Sequence, residues 1–316
     1  MSGNTTSNSG SIIRSELWQA ELEEILHEHL TGMPMVRQVD FPDGTAFTMP
    51  SLGTPLVRDF PEGSEVIFDA LDNGETQITM NVPIIAANSI SEVLLEDSMW
   101  ANDLLSTVPA EQAQAILERF ETDTLALQNQ QFAGVNNQNL INGVAHRRIA
   151  GGTNEIMEPQ DFAFAGFSLK IAKIARQNLI AIVDPSVAFA LETITNLVNI
   201  SNNPRWEGII ETGIEQNFRF IRNVYGFDVF ESNLLPTMNE TIDGKTTTAG
   251  KANLFMSAAR PGILPFVLAW RRKPKLISEM DNKLHQLEIQ TTARWGSGLV
   301  RDENLVVIGA DTDQVT

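Results

Sequence analysis

Four histidines, a Gly-Lys-Thr triplet and two neighbouring aspartates are the first residues of this chain that could do chemistry. His27-Glu28-His29 puts two imidazoles beside a carboxylate, as a zinc site would. On a helix, however, residues two apart point to different faces, and zinc sites prefer spacings of three or four; a solvated polar face accounts for the segment. His146 and His285 stand without a nearby Ser or Asp pattern that implies a triad. Gly244-Lys245-Thr246 has the end of a phosphate loop, but Asn239 stands where that pattern needs its first glycine, and the segment before it is polar rather than an apolar strand. Asn239-Glu240-Thr241 fits a glycosylation acceptor, yet no secretory signal accompanies it. Asp311 and Asp313 could touch a cation, though a solvated tail explains them as well. The chain has no cysteine, which excludes disulfides, thiolate metal sites and a cysteine nucleophile. The expectation is a protein with no catalytic residues, no cofactor and no metal, and not an enzyme.

Length and charge narrow the class. The 316 residues, 42% of them hydrophobic, can bury a sizeable core in one large domain or two. No run approaches the length of a membrane span, and the polar opening MSGNTTSNSGS lacks the charged-then-apolar order of a signal peptide. The net charge is −18, and its placement is uneven: residues 1–169 hold 24 acidic and 6 basic residues, residues 170–316 hold 16 of each. A reader of specific DNA sequences shows a basic surface instead. The acidic half fits solubility, or contact with a more basic part of a neighbouring subunit, for which Arg271, Arg272, Lys273 and Lys275 form a candidate receiver.

The elements that position these residues begin with the longest helical pattern, from Thr107 to Val135. Thr107 suits its cap, Pro109 its first turn, and Gly134 its end. Ala113, Ile116, Leu117, Phe120, Thr124, Leu127 and Gln131 share one face. Such a helix spans roughly 35–40 Å, the width of a small domain. Before it, Ile12 to Leu30 forms an amphipathic helix with Leu17 and Trp18 near its apolar side and little local chain to pack on. Residues 36–85 form a long hairpin: Val66–Ala70 and Ile78–Val82 alternate around Asp72-Asn73-Gly74, a strong turn signal. A lone hairpin is marginal in water, so it projects and needs partners. Residues 136–154 are predicted as loop, Pro159–Gln177 as helix, Leu179–Val183 as a buried strand, and Ser186–Val198 as helix. Gly226–Pro236 reads as a strand, 237–251 as an exposed loop, Leu254–Ala259 and Phe266–Trp270 as core. Leu284–Trp295 reads as a long strand, Gly296 and Gly298 as a turn, Leu305–Ile308 as a last strand, and Asp311–Thr316 as a polar tail. Alternating strands and helices after residue 150 indicate α/β layers.

Three segments then carry a resemblance: Leu179-Ile-Ala-Ile-Val-Asp-Pro185, Tyr225-Gly-Phe-Asp-Val-Phe-Glu-Ser-Asn-Leu-Leu-Pro236, and Arg294-Trp-Gly-Ser-Gly-Leu-Val-Arg-Asp-Glu-Asn-Leu-Val-Val-Ile308. In this order, with the hairpin and long helix before them, they resemble the major capsid proteins of tailed double-stranded DNA phages, the Hong Kong 97-like family. The resemblance implies an α+β fold with an N-terminal arm (1–35) and an extended hairpin loop (36–85). A peripheral domain (86–149 and 281–296) would hold a spine helix at 108–134, and an α/β axial domain would take 150–280 and 297–316.

It also implies a function. The subunit would self-assemble as pentamers and hexamers into an icosahedral shell around the double-stranded DNA genome, without sequence-specific binding and without a membrane. The inter-subunit contacts would come from the arm (Leu17, Trp18), the loop (Phe68, Asp72, Asn73, Gly74, Ile78) and the basic cluster (Arg271, Arg272, Lys273). The loop has no lysine, so a cross-link from a loop lysine to a neighbour's asparagine is not expected. The short polar stretch before the first helix implies a separate scaffolding protein; a portal and a decoration or cement protein are further implied partners. The place would be the virion capsid, assembled in the host cytoplasm. An encapsulin-type compartment shell shares the fold, and a soluble α/β enzyme with an unidentified site is the alternative of another class.

Overall fold

The computed structural model describes residues 35–41, 43–52, 57, 59, 62, 65, 68, 73–97, 101–129, 137–193 and 220–312. The arm residues Leu17 and Trp18, the His27-Glu28-His29 cluster and Asp72 lie outside the described residues, as do Gln131 and Gly134.

Two sheets share one core. The first orders its strands β1 (Val36–Asp40), β14 (Phe266–Asp281), β15 (Gln286–Leu299) and β4 (Ile84–Ser91). The second has six strands, ordered β7 (Arg147–Ile149), β16 (Leu305–Asp311), β13 (Gly250–Ser257), β8 (Leu179–Val183), β10 (Phe227–Glu231) and β9 (Phe220–Val224). Three pairs stand apart: β2 (Ala46–Leu52) with β3 (Asn73–Thr79), β5 (Leu140–Ile141) with β6 (Val144–Ala145), and β11 (Thr241–Ile242) with β12 (Lys245–Thr246). The helices are α1 (Glu92–Asp97), α2 (Ala101–Leu125), α3 (Pro159–Ile171) and α4 (Pro185–Thr193).

The long helix, α2, starts earlier than its sequence pattern suggests and runs through Pro109. A proline there removes one helical hydrogen bond at a cost of about 3 kcal/mol. Packing offsets it: Val108 lies against the small cluster of Ile90, Leu94 and Ile289. The α-helix ends at Leu125 and tightens into a 3-10 turn over Ala126–Asn129. At 25 residues and about 1.5 Å each it spans about 38 Å.

Gln112, Ile116, Phe120, Glu121, Thr124 and Leu125 of the helix and Gln128 of the 3-10 turn are buried. Gln112 reaches the four-stranded sheet, donating to Asn88 Oδ1 at 2.7 Å and to the Ile289 carbonyl at 3.0 Å, and accepting from Thr291 Oγ1 at 3.0 Å. Phe120 stacks on Trp270 (5.5 Å, 22°) and meets Trp295 edge-on (5.7 Å, 81°). These rings join Leu254, Met256, Leu305 and Val307 of the six-stranded sheet in one cluster, so α2 lies where the two sheets meet. The other face of the six-stranded sheet packs Phe162, Leu169, Val187 and Leu191 of α3 and α4 against Phe227, Phe255, Val306 and Ile308.

The segments singled out in the sequence have structural reasons. Asp184 Oδ2 accepts from Ser186 N at 3.1 Å and Ser186 Oγ at 2.6 Å, an N-cap that turns β8 into α4. Asn253 is buried and holds three elements: its Oδ1 accepts from Asp184 N at 2.9 Å while its amide donates to the Ile308 carbonyl at 3.1 Å. Asn304 does the same below it, accepting from Ser257 N and donating to the Ser257 and Ile263 carbonyls. A buried amide must be fully paired, so each fixes chain positions far apart in sequence.

Several expectations are corrected. The loop hairpin pairs β2 with β3, Phe47 opposite Ile78 and Ser51 opposite Gly74, so Asn73 and Gly74 lie in a strand and not in the turn. The apolar Phe47–Ile78 pair, with Phe41 edge-on to Phe47 at 5.3 Å, sets this register over the local Asn-Gly signal. Val36–Asp40 leaves the loop and pairs in parallel with Phe266–Trp270. Residues 84–91, where the expected loop (36–85) passes into the expected peripheral domain (from 86), are strand β4 against β15. Residues 136–154 include strand β7 at the six-stranded sheet's edge. α3 ends at Ile171, six residues before Gln177, and Asp311 closes β16, buried, instead of opening a tail. Gly296 and Gly298 are within β15, not in a turn. Phe266 begins a 16-residue strand of the four-stranded sheet, so 266–280 does not lie with the six-stranded one.

Candidate functional site

The candidate contact residues fall in three places. Phe68, between the two loop strands, is 90% exposed, as is Val57 at 89%. Asn73 and Gly74 sit at the far end of the β2–β3 ladder, opposite Leu52 and Ser51. Ile78 is only 1% exposed, buried in its own chain against Gly296 and Gly298 of β15 rather than open to a neighbour. The glycines make room that no larger residue leaves, so β15 takes the loop's base on its surface.

Arg271, Arg272 and Lys273 lie on β14 just past its pairing with β1. Lys273 meets Asp40 at 3.0 Å and Arg271 lies 3.9 Å from Asp43. Part of the basic cluster therefore already faces acidic residues of its own chain, in exposed pairs of small energetic worth. Arg272 and Lys275 are exposed and carry no ion pair among the described residues.

The residues considered for chemistry are used structurally. His146 is buried; its Nδ1 lies 3.2 Å from the Val144 carbonyl, and burial lowers its pKa, opposed by that carbonyl and by Asp302. His285 is at the surface, 3.1 Å from Glu92. Lys245 of the Gly-Lys-Thr triplet donates to the Ala150 and Gly151 carbonyls, both at 2.9 Å, so its ammonium faces backbone oxygens and not a phosphate cradle. Asp311 accepts from Thr248. Among the described residues no group of three acidic, histidine or cysteine side chains could hold a metal. No helix among them is long and apolar enough to cross a membrane.

Sequence reasoning missed a buried, forked ion pair. The segment 237–251, expected as an exposed loop, is fastened to β7. Arg147, 1% exposed, donates from both terminal nitrogens to Glu240, at 3.0 and 3.1 Å, and to the Asn137 carbonyl at 3.2 Å. Such a forked pair fixes orientation as well as distance. No local pattern announces it, because the partners are 93 residues apart. Only the buried Met238, Ile242 and Thr247 beside Glu240 hint that the segment has an inner side.

A family model described as phage capsid protein matches residues 87–308, more than half of the chain. None of the curated proteins matches the chain in sequence. The fold is similar to that of the solved capsid of cyanophage P-SCSP1u, at TM-score 0.71 and 15% identity over 95% of this chain and 93% of that one. It is likewise similar to the mature capsid of bacteriophage PhiM1 (0.66, 13%, 94% and 91%) and the capsid of cyanophage Pam1 (0.66, 12%, 95% and 96%). At such identities the likeness establishes the fold: α+β and Hong Kong 97-like, as the three sequence segments implied. With the family model spanning both sheets and the helix between them, the chain belongs to the phage capsid protein family, as a structural major capsid protein.

Proposed function

We propose that this subunit assembles as pentamers and hexamers into an icosahedral shell enclosing the double-stranded DNA of a tailed phage. The observation that carries the reading is the β2–β3 loop. Among the described residues, Ile78 at its base is seated on its own sheet, while Val57 and Phe68 between its strands stand almost fully exposed. Covering such side chains yields about 25 cal/mol per Å² of apolar surface, a modest amount per subunit that a closed shell repeats many times. A neighbouring copy is the cover this reading supplies, and Arg272 and Lys275 are the part of the basic strand open to a neighbour's acidic surface.

In this reading the four-stranded sheet and α2 form the peripheral domain, and the six-stranded sheet with α3 and α4 the axial domain. A separate scaffolding protein, a portal and a decoration or cement protein complete the particle, which assembles in the host cytoplasm. The role is structural and involves no catalysis. An acidic inner wall confines DNA and does not bind it tightly.

Replacing residues 54–71 by a short glycine turn tests the loop. The β2–β3 ladder keeps its paired residues, so the subunit should melt as the wild type does while shell yield, read by light scattering, falls at least about tenfold, a change equivalent to about 1.4 kcal/mol in all. Unchanged yield would show that the loop does not bridge subunits.

A further inference from the structure

The loop's base raises a question of angle. Ile78 is buried while Gln77 and Thr79 on either side are exposed, so one side chain of β3 points inward. What it meets is two glycines at alternate positions of β15, which share a sheet face. A Cβ at Gly298 would come within 2.6 Å of Ile78 Cγ1 and 3.0 Å of its Cδ1. One at Gly296 would lie 2.7 Å from the Thr79 carbonyl oxygen and 3.2 Å from Ile78 Cγ2.

Neither glycine has a positive φ, so the backbone does not require them. Glycine inside a strand costs about 0.5–1 kcal/mol relative to alanine, and close approach of another segment is what offsets it here. The register places Val267 and Ala269 beside them on the same face, both buried. Two hydrogen bonds lock the crossing next door: Asn81 N–H donates to the Trp295 carbonyl at 2.9 Å, and Arg294 Nε–H donates to the Asn81 carbonyl at 2.8 Å. The opposite face of the same strand carries Trp295 into the central core. The loop is thereby referenced, through one strand, to the central core of the subunit.

We propose that Gly296 and Gly298 form a seat for Ile78 that sets the direction in which the extended loop leaves the subunit, making Ile78, Gly296 and Gly298 positioning residues for shell assembly. Added bulk at the seat tilts the loop about the Asn81–Trp295 bond. Far from this pivot, a small tilt becomes a large displacement of Phe68 and its neighbours. The assembly part of the proposal rests on the reading that the loop reaches a neighbouring copy; the seat itself does not.

A double-mutant cycle on the full chain tests it: Gly298→Ala, Ile78→Ala and both together, read first by amide hydrogen exchange over residues 73–81 in unassembled subunits, then by shell yield and shape. Gly298→Ala should speed exchange there and reduce well-formed shells about tenfold, a change equivalent to about 1.4 kcal/mol in all. If it acts through Ile78, the double variant should be no worse than Ile78→Ala alone, because the clashing atoms are gone. Additive losses, or wild-type exchange in Gly298→Ala, would overturn the seat. So would loss of the fold in Gly298→Ala that persists in the double variant, since the glycine would then serve the sheet alone. The stated exchange behaviour in the variants, together with wild-type subunits that never form shells, would support the seat while refuting the shell-contact reading. Altered exchange with wild-type shells from Gly298→Ala would overturn the positioning role.

Discussion

Phe120→Ala subunits should lose about 3–5 kcal/mol of stability, the usual cost of removing a fully buried aromatic ring. Phe120 sits in the last two turns of α2, completely buried, touching Trp270 of β14 and Trp295 of β15, which also meet each other edge-on at 5.8 Å. The three rings join the helix to the four-stranded sheet, and their cluster continues into the six-stranded one. The cavity left by the alanine is walled by strands on both sides and collapses poorly, which places the loss toward the upper end. A chemical-denaturation midpoint measured by tryptophan fluorescence reads it directly, since two of the reporters line the cavity. A loss under about 1 kcal/mol, the scale of a surface substitution, would mean that α2 does not depend on this contact.

Removing Glu240 should be nearly as costly, for a different reason. Glu240→Gln leaves the Arg147 guanidinium buried without its countercharge, and stripping one partner from a buried pair costs about 3–5 kcal/mol. The outer side of Glu240 reaches solvent, so about 3 kcal/mol is expected at neutral pH. The loss should also depend on pH. Burial pushes the Glu240 carboxyl up, but the Arg147 hydrogen bonds and charge, with the Asn137 amide, outweigh it and hold the pKa below the ordinary 4.5. A carboxyl with a lowered folded pKa contributes stability that is fully present above its unfolded value and is lost as pH falls through the folded one. The gap between wild type and Glu240→Gln should therefore be constant above pH 4.5 and close below it. His146 titrates in both proteins and cancels in the difference. A gap that stays constant down to the acid transition would contradict the assigned pairing.

Much of the architecture is legible in the residues, and the failures are informative. The Leu179–Val183 strand and the Leu305 strand are where their apolar runs place them, because each is buried on both sides. The long helix is legible from its three-and-four spacing. Its buried face is legible in part: Ile116, Phe120 and Thr124 are buried as their spacing places them, but Gln112 and Gln128 look polar and are also inside, the former satisfied by groups on two strands.

The loop's register is mistaken for a reason of the same kind. Asn73-Gly74 is a strong local turn signal, but the Phe47–Ile78 pair and the burial of Ile78 outweigh it. Gly296 and Gly298 read as a turn because glycine punctuates loops more often than it seats a crossing strand. Ile78 is buried in its own chain rather than against a neighbour for that reason, while Phe68 is exposed as a contact residue would be. The Arg147–Glu240 clamp has no local signature at all; long-range charge pairs become visible only when the chain is folded.

The central claim is that this subunit builds closed shells. The most direct measurement is negative-stain electron microscopy of the purified full-length protein, with its sedimentation followed at low and high ionic strength. Closed particles of uniform diameter, with five- and six-fold clusters on their surface, are the predicted result. A single small monomeric species under every assembly condition would contradict the account.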